Sequence, residues 1–212
     1  MALSHDDLWP RAGSWPAYAA GDDADAVLLG VPTWRTSLSP TGAHATPAAI
    51  REALTRYSAT LMGPPVVDLA AVLRVLDAGD VVEPDGEAGI AATVARVHEL
   101  AESARLVIAL GGDNALTYPV ARGALATGLI TIDAHFDLRD GVSNGSPVRR
   151  LIEDAPEGER IDPTRIVQIG IADFANSAAY AARAADRGIR VITLDEVRSR
   201  GIADVVAEAT RI

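Results

Sequence analysis

Short apolar runs alternate with amphipathic segments from about residue 25 onward, and this alternation constrains the fold more than any other feature. The runs that have the length and composition of buried strands are DAVLLGVP, LVIAL, GLITID, RIVQIGI and RVITL. Helices are predicted over residues 47–58, 86–103, 114–125, 146–154, 176–188 and 195–212. Strands that alternate with helices form a parallel sheet with helices on both faces, so the sequence predicts an α/β fold.

Other parts of the chain have a weaker pattern. Residues 1–24 show no clear period and are predicted to form an arm on the body of the protein or on a neighbouring subunit, and residues 25–212 are predicted to form the α/β domain. The pieces VVDLA and DAGDVV are interpreted as strand or loop. Asn176 is predicted to cap the helix over 176–188, and Gly188 to follow its end.

The charge balance and the missing residue types exclude several kinds of chemistry. The formal net charge is −10, all 19 basic residues are arginines, and the chain contains neither lysine nor cysteine. Schiff-base lysines, thiolate nucleophiles and disulfides are therefore excluded, and the acidic balance argues against a nucleic-acid partner. No apolar run has the length of a membrane span, and the start MALSHDDLWP does not resemble a secretory signal, so we expect a cytoplasmic protein.

The segment DAHFD, which follows the apolar run GLITI, carries the most specific chemical signal. In an extended chain, side chains two residues apart point to the same side, which would bring Asp133, His135 and Asp137 together at the end of the strand. Two carboxylates and an imidazole suit Mn²⁺, Fe²⁺ or Zn²⁺. The alternative is a buried histidine between two aspartates that cap the loop. Because two adjacent buried carboxylates are costly without a cation, we favour the metal site.

The remaining candidates are weaker. The sequence GGDN after LVIAL predicts either a glycine turn with Asp113 as a helix cap or a phosphate-binding loop, although its spacing matches no phosphate motif. Asp195 and Glu196 are interpreted as helix-capping residues. The other histidines, of which only His44 lies on a loop that could lean over the site, are His5, His44 and His98.

Taken together, these motifs resemble the ureohydrolase family of arginases, agmatinases and formimidoylglutamases. The resemblance rests on GVP, GAHATPAAIREAL, GGD, DAHFD and SNGSPVRRLIE, in that order. It implies a three-layer α/β/α fold with a mostly parallel sheet and a centre of two Mn²⁺ ions. In such a centre a metal-activated hydroxide attacks the central carbon of a guanidinium or amidine. By the same resemblance, Asp133 bridges the two metals, and His135 and Asp137 each bind one of them.

Two departures from the family pattern bear on the strength of the metal site and on the member of the family that the chain resembles. Asn114 occupies the position of a metal-binding histidine in the usual GGDH motif, which predicts a weaker metal site. Asn144 occupies the position of the histidine that arginases and agmatinases use in the substrate loop, which makes formimidoylglutamase the nearest relative. The substrate-binding residues implied by this resemblance are Arg139, Ser143, Asn144 and Ser146. Arg149 and Arg150 are further candidates for contact with substrate carboxylates.

A third departure concerns two aspartates. The family carries an aspartate-x-aspartate motif on a later strand, and the 212 residues contain no such strand, so we expect a fragment or a shortened homologue. We therefore expect the 212-residue chain itself to be inactive or nearly so, and to form homo-oligomers or aggregates through an uncovered sheet edge. Two alternatives stay open at this point, namely a non-catalytic protein of the same fold and a guanidino hydrolase of the agmatinase or arginase type.

Overall fold

The parallel pairing that the alternation predicts occurs in two separate sheets. The structure, a computed structural model, describes residues 6–212. Its contacts divide the chain into two compact units, one that runs to Trp34 and resumes over Gly42–Asp113, and one made of Arg35–Thr41 and Asn114–Ile212. The strands are β1 Ala24–Val31, β2 Thr60–Leu61, β3 Val67–Asp68, β4 Val75–Asp80, β5 Ala104–Gly111, β6 Leu129–Ile132, β7 Ile166–Ile171 and β8 Arg190–Thr193. The helices are α1 Thr46–Leu54, α2 Leu69–Val72, α3 Gly86–Ser103, α4 Thr117–Gly123, α5 Pro147–Glu153, α6 Ala178–Asp186, α7 Leu194–Arg200 and α8 Ile202–Ala209.

The first unit is built on β1, which pairs in parallel with β4 on one side and β5 on the other. Apart from the partly buried Asp25, its residues are apolar and buried, as expected of a central parallel strand. Helices α1 and α3 pack against β1 and β5. The short strands β2 and β3 form a separate antiparallel hairpin. The predicted helix over 86–103 is confirmed at both ends, because α3 covers the same residues.

Residues 6–23 run beside this unit with little regular structure. The backbone of Pro16 and Tyr18 bonds to Asp77 in β4, which is at an edge of its sheet, and the Tyr18 hydroxyl lies 2.9 Å from the Ser103 hydroxyl. The assignment of residues 1–24 to an arm stays a prediction. Pairing with Asp77 also covers part of an otherwise open strand edge.

The glycine turn after β5 has a steric cause. A Cβ atom at Gly112 would lie 2.1 Å from the carbonyl oxygen of Thr33, so only glycine fits there. The amide of Asp113 donates to that Thr33 carbonyl, and the Thr33 hydroxyl donates to the Asp113 carbonyl. The GGD sequence thus lets the chain pass close to the loop that follows β1.

The second unit is built on β7, which pairs in parallel with β6 and with β8. Helices α6 and α7 pack against this sheet, and α8 packs against α7. One buried cluster joins the sheet to the last helix and consists of Val167, Ile169, Ile192, Val205 and Ala209. Two of the four edge strands of these sheets, β5 and β6, leave apolar side chains in solvent, namely Leu106, Ile108, Ile130 and Ile132.

Several details of the predicted helices were wrong. The helix predicted over 47–58 ends earlier, at Leu54. The predicted single helix over 195–212 is divided into α7 and α8 at Gly201, which has a φ of +84° that other residues rarely adopt. Ser177, and not Asn176, caps α6 through its side chain, because Asn176 is bonded elsewhere. The predicted capping by Glu196 is confirmed, since Glu196 and Thr193 form a reciprocal capping box. None of the helices within residues 6–212 is long and apolar enough to span a lipid bilayer.

Candidate functional site

The DAHFD segment leaves the sheet where β6 ends. Asp133 still donates its amide to the carbonyl of Ile169 in β7, at 3.0 Å, but the chain then bends instead of continuing as an extended strand. The Asp133 carboxylate accepts the amide of His135 at 2.8 Å, which closes a tight turn of the kind that aspartate favours. The extended geometry predicted for this segment is wrong, because this turn arranges the side chains instead.

Asp133 and His135 lie side by side, whereas Asp137 lies deeper. The Asp133 Oδ1 and His135 Nδ1 atoms are 3.2 Å apart, and the imidazole side chain is 60% exposed. Asp137 is buried and has a φ of +53°, an uncommon backbone conformation that aspartate tolerates better than most residues. The segment therefore presents one exposed imidazole between two carboxylates at different depths.

The electrostatics of Asp137 favour a nearby cation. Burial raises its pKa to about 7, and the charge of Asp133 acts in the same direction, while the hydrogen bond from Asn114 and the proximity of His135 lower it. A divalent ion among these donors would offset both unfavourable effects, and carboxylate with imidazole is a donor set suited to Mn²⁺. As the side chains stand, no three His, Asp or Glu residues within 6–212 are grouped so that they could hold a metal ion. The complete ligand set stays a prediction.

Asn114 contacts this site through its amide nitrogen. Its Nδ2 donates to Asp137 Oδ2 at 2.6 Å, and its Oδ1 accepts the Thr117 hydroxyl at 2.7 Å. The amide oxygen that would bind a metal is thus engaged by Thr117, and Asn114 holds the buried carboxylate. Its predicted role as a weak ligand stays a prediction.

The predicted substrate-binding residues lie on the loop between β6 and α5. The Ser146 hydroxyl is buried, donates to the Ser143 carbonyl and accepts the Ser143 amide, and the Ser143 hydroxyl accepts the amide of Gly145. Asn144 accepts the amide of Leu38 through Oδ1, so it ties this loop to the segment 35–41. The two serines therefore define the shape of the loop, and their roles toward a substrate stay predictions.

The three arginines near this loop differ in availability. Arg139 is exposed, and no ion pair to it is found within residues 6–212. Arg149 is buried and donates to the carbonyls of Arg139 and Gly141 and to both oxygens of Asp154. The Arg149 guanidinium is thus fully used in holding the loop to the end of α5.

Arg150 is held inside the second unit. It is buried, and its guanidinium carbon lies 3.8 Å from the centre of the Tyr118 ring. Burial lowers the pKa of Arg150. Of the arginines considered as carboxylate partners, Arg139 alone has an exposed guanidinium.

Two side chains that the sequence analysis did not assign to the site hold the DAHFD backbone. Asn176, in the loop after β7, accepts the amide of Phe136 at 3.0 Å and donates to the carbonyl of Ala134 at 2.8 Å. Gln168 in β7 is fully buried and donates to the carbonyl of Phe136 at 2.8 Å. Gln168 could have been found from the sequence, because it is a polar residue inside the apolar run RIVQIGI. Asn176 was predicted only to cap a helix.

The other candidates belong to the first unit and make contacts of their own there. The ring of His44 packs on the ring of Trp34, with centroids 5.1 Å apart. His98 Nε2 lies 3.8 Å from Glu102 Oε1 on the same helix. His5 lies outside the described residues. The backbone of Asp113 bonds to Thr33, as the glycine turn requires.

Comparisons with known proteins agree with the predicted fold and family. The family model described as the arginase family matches residues 24–212. The curated formimidoylglutamases of Halobacterium salinarum and Bacillus subtilis are 34% and 31% identical, over 92% and 86% of this chain. The chain spans 64% and 59% of the lengths of these two relatives.

Solved structures of formimidoylglutamases also match this chain. The crystal structure of the Bacillus subtilis formimidoylglutamase matches 99% of this chain and 68% of its own, with a TM-score of 0.86 and 28% identity. The Trypanosoma cruzi formiminoglutamase with Mn²⁺ matches 94% of this chain and 70% of its own, with a TM-score of 0.81 and 28% identity. The predicted α/β fold of the arginase type is thereby confirmed, and the chain belongs to the arginase family.

Proposed function

We propose that the protein is a metal-dependent hydrolase of a C–N bond in a linear amidine, of the formimidoylglutamase type. The observation that carries this proposal is the similarity to formimidoylglutamases from two organisms, at 34% and 31% identity. The carboxylate and imidazole donors at the end of β6 also support it, because they suit a divalent metal ion. Because the chain spans less than two thirds of these relatives, the activity is proposed for the complete gene product.

The proposed reaction adds water to the amidine carbon and releases the amine. Formimidoylglutamate and water give formamide and glutamate, and the bond that breaks joins the formimidoyl carbon to the glutamate nitrogen. Asp133, His135 and Asp137 would hold Mn²⁺, which when bound lowers the pKa of water enough for nucleophilic attack near neutral pH. Asn114 keeps the Asp137 carboxylate in place by donating to it.

Arg139 is the residue that we assign to a substrate carboxylate. Its guanidinium is exposed, while its backbone is fixed on both sides, because its amide donates to Gly145 and its carbonyl accepts from Arg149. A charged group on a fixed backbone can recognise an anionic substrate without much loss of loop entropy. Ser143, Asn144 and Ser146 support this by shaping the loop that presents Arg139.

The finer properties follow from the same proposal. We place the enzyme in histidine degradation, in the cytoplasm, with a small amidine as its partner and a homo-oligomer as its state. The exposed apolar side chains on the edge strands β5 and β6 support self-association.

An agmatinase is the second candidate, because curated agmatinases, such as that of Edwardsiella ictaluri at 32% identity, also match the chain. The test is to measure turnover of formimidoylglutamate, agmatine and arginine by the complete gene product with added Mn²⁺. We expect formamide and glutamate from the first substrate, with little urea from the other two. Urea from agmatine without formamide from formimidoylglutamate would favour the agmatinase. No turnover of any of the three, together with no metal binding, would favour the non-catalytic alternative.

A further inference from the structure

The backbone on both sides of His135 is bound by one side chain from a neighbouring loop. Asn176 donates to the carbonyl of Ala134, which precedes His135, and accepts the amide of Phe136, which follows it. The distances are 2.8 and 3.0 Å, both within the ordinary range of hydrogen bonds. A primary amide is suited to this task because it carries one acceptor and two donors in a fixed plane.

Two further contacts make this arrangement specific to the DAHFD backbone. The amide of Ala172 also donates to the Ala134 carbonyl, and the buried Gln168 donates to the Phe136 carbonyl. The peptide groups at positions 134 and 136 are therefore fixed, and these positions alternate with the three candidate ligands. The direction of the exposed His135 ring then depends on a backbone that Asn176 clamps.

The loop that carries Asn176 adopts an unusual conformation. Phe174 has a φ of +60° and a side chain in full solvent contact, so neither a favourable backbone nor apolar burial accounts for the path of this loop. Its path does bring the Asn176 amide against Ala134 and Phe136. The adjacent Ser177 performs the separate task of capping α6.

We propose that Asn176 is a positioning residue for the metal site, which sets the direction of His135 through the backbone on its two sides. This inference rests on the proposed function, because it assigns to Asn176 a role toward the Mn²⁺ ligands. Residues that orient metal ligands affect metal affinity although they never contact the metal. Asn176 therefore acts on binding of Mn²⁺ and not merely on folding.

The test is titration of the complete gene product with Mn²⁺, in which free Mn²⁺ is measured by electron paramagnetic resonance. We expect Asn176→Ala to weaken Mn²⁺ binding by about 10- to 100-fold, the range for residues that orient ligands. Ser177→Ala is the matched control. It removes a helix cap from the next residue and should lower the stability of the chain to urea while leaving the Kd for Mn²⁺ unchanged.

A second variant, Asn176→Ser, keeps a polar group that is too short to bridge both backbone groups, and it decides the question if Asn176→Ala does not fold. We expect it to weaken Mn²⁺ binding as well. An unchanged Kd in the folded Asn176 variants, or an equal loss in Ser177→Ala, would overturn the inference and leave the proposed function standing. A wild-type complete gene product that binds no Mn²⁺ would contradict the ligand assignment in the proposed function, and the inference with it.

Discussion

Asn114 has one role by resemblance to the family and another in the structure. The resemblance to the family implies that Asn114 is a poorer ligand in place of histidine, whereas in the structure it donates to Asp137 and accepts from Thr117. In the structure, position 114 adjoins the buried carboxylate of Asp137. A side chain there can therefore act on Asp137 or on a metal beside it.

Asn114→His is expected to raise the affinity for Mn²⁺, because imidazole is a better donor to a divalent transition metal than an amide oxygen. Calorimetric titration of the wild-type chain and the variant at one pH measures the change. Thr117→Ala serves as a control, since it frees the Asn114 oxygen without adding a nitrogen ligand. Equal Mn²⁺ affinity in wild type and Asn114→His would contradict the assignment of position 114 to the metal site.

Residue patterns predicted some site residues and not others for a physical reason. Asp133, His135 and Asp137 lie within five positions, so one strand end brings them near each other whatever the rest of the chain does. Asn176 reaches the same segment from 40 positions away, through the packing of two loops. The identity of this residue does not indicate that contact, because an asparagine before a helix is explained equally well as a helix cap.

At the scale of elements, the alternation of apolar runs predicted β1, β5, β6, β7 and β8, but the last helix was predicted wrongly. Apolar spacing continues through Gly201, so periodicity alone cannot detect the break. The break depends on a single backbone conformation, with φ at +84° and ψ at 151°. The two helices then pack as separate pieces, and Val205 and Ala209 enter the core with β7.

Gly201→Ala is expected to destabilise the chain by about 1–3 kcal/mol, the cost of forcing a residue with a Cβ into this conformation. A Cβ there would contact no atom within 4 Å, so backbone strain is the only penalty. Gly42→Ala is the matched control, because its φ is −100° and its Cβ would also lie in open space. Urea unfolding measures both, and equal stability of the two variants would contradict the explanation of the break.

The junction of β8, α7 and α8 should make stability depend on pH. Arg190 and Arg200 both bind the Glu208 carboxylate, and they lower its pKa from 4.5 to about 2. A carboxylate with a lowered pKa stabilises the folded chain above its ordinary pKa, and this stabilisation is lost as the pH falls through the folded value.

Glu208→Gln removes this contribution. The difference in unfolding free energy between wild type and Glu208→Gln should therefore be greatest above pH 4.5 and shrink as the pH falls toward 2. Urea unfolding over this range of pH measures it. A difference that stays constant with pH would show that the two arginines do not hold Glu208 as described.

At the scale of the whole molecule, the two sheets end in strands with exposed apolar residues. Leu106 in β5 is 55% exposed and Ile132 in β6 is 79% exposed. Open strand edges of this composition invite pairing with another chain. The apolar runs predicted buried strands. Their composition does not show whether a strand is central or at an edge of its sheet, so the exposure of these residues could not be predicted.

Leu106→Lys is expected to reduce self-association, because a charge on an edge strand opposes pairing with a second chain. Sedimentation at several protein concentrations measures the change. Ile202→Lys is the control, since Ile202 is 56% exposed but lies on helix α8. Association that responds to Ile202→Lys and not to Leu106→Lys would contradict the role of the β5 edge.

We propose that the residues at the end of β6 support metal-dependent hydrolysis of an amidine. Formamide release from formimidoylglutamate by the complete gene product tests it most directly, in wild type and in Asp133→Asn. The account predicts release that requires Mn²⁺, that stops on chelation, and that falls by at least about 100-fold in Asp133→Asn, since even residues that only orient ligands cost 10- to 100-fold. Formamide release that persists without metal, or that is unchanged in Asp133→Asn, would contradict it.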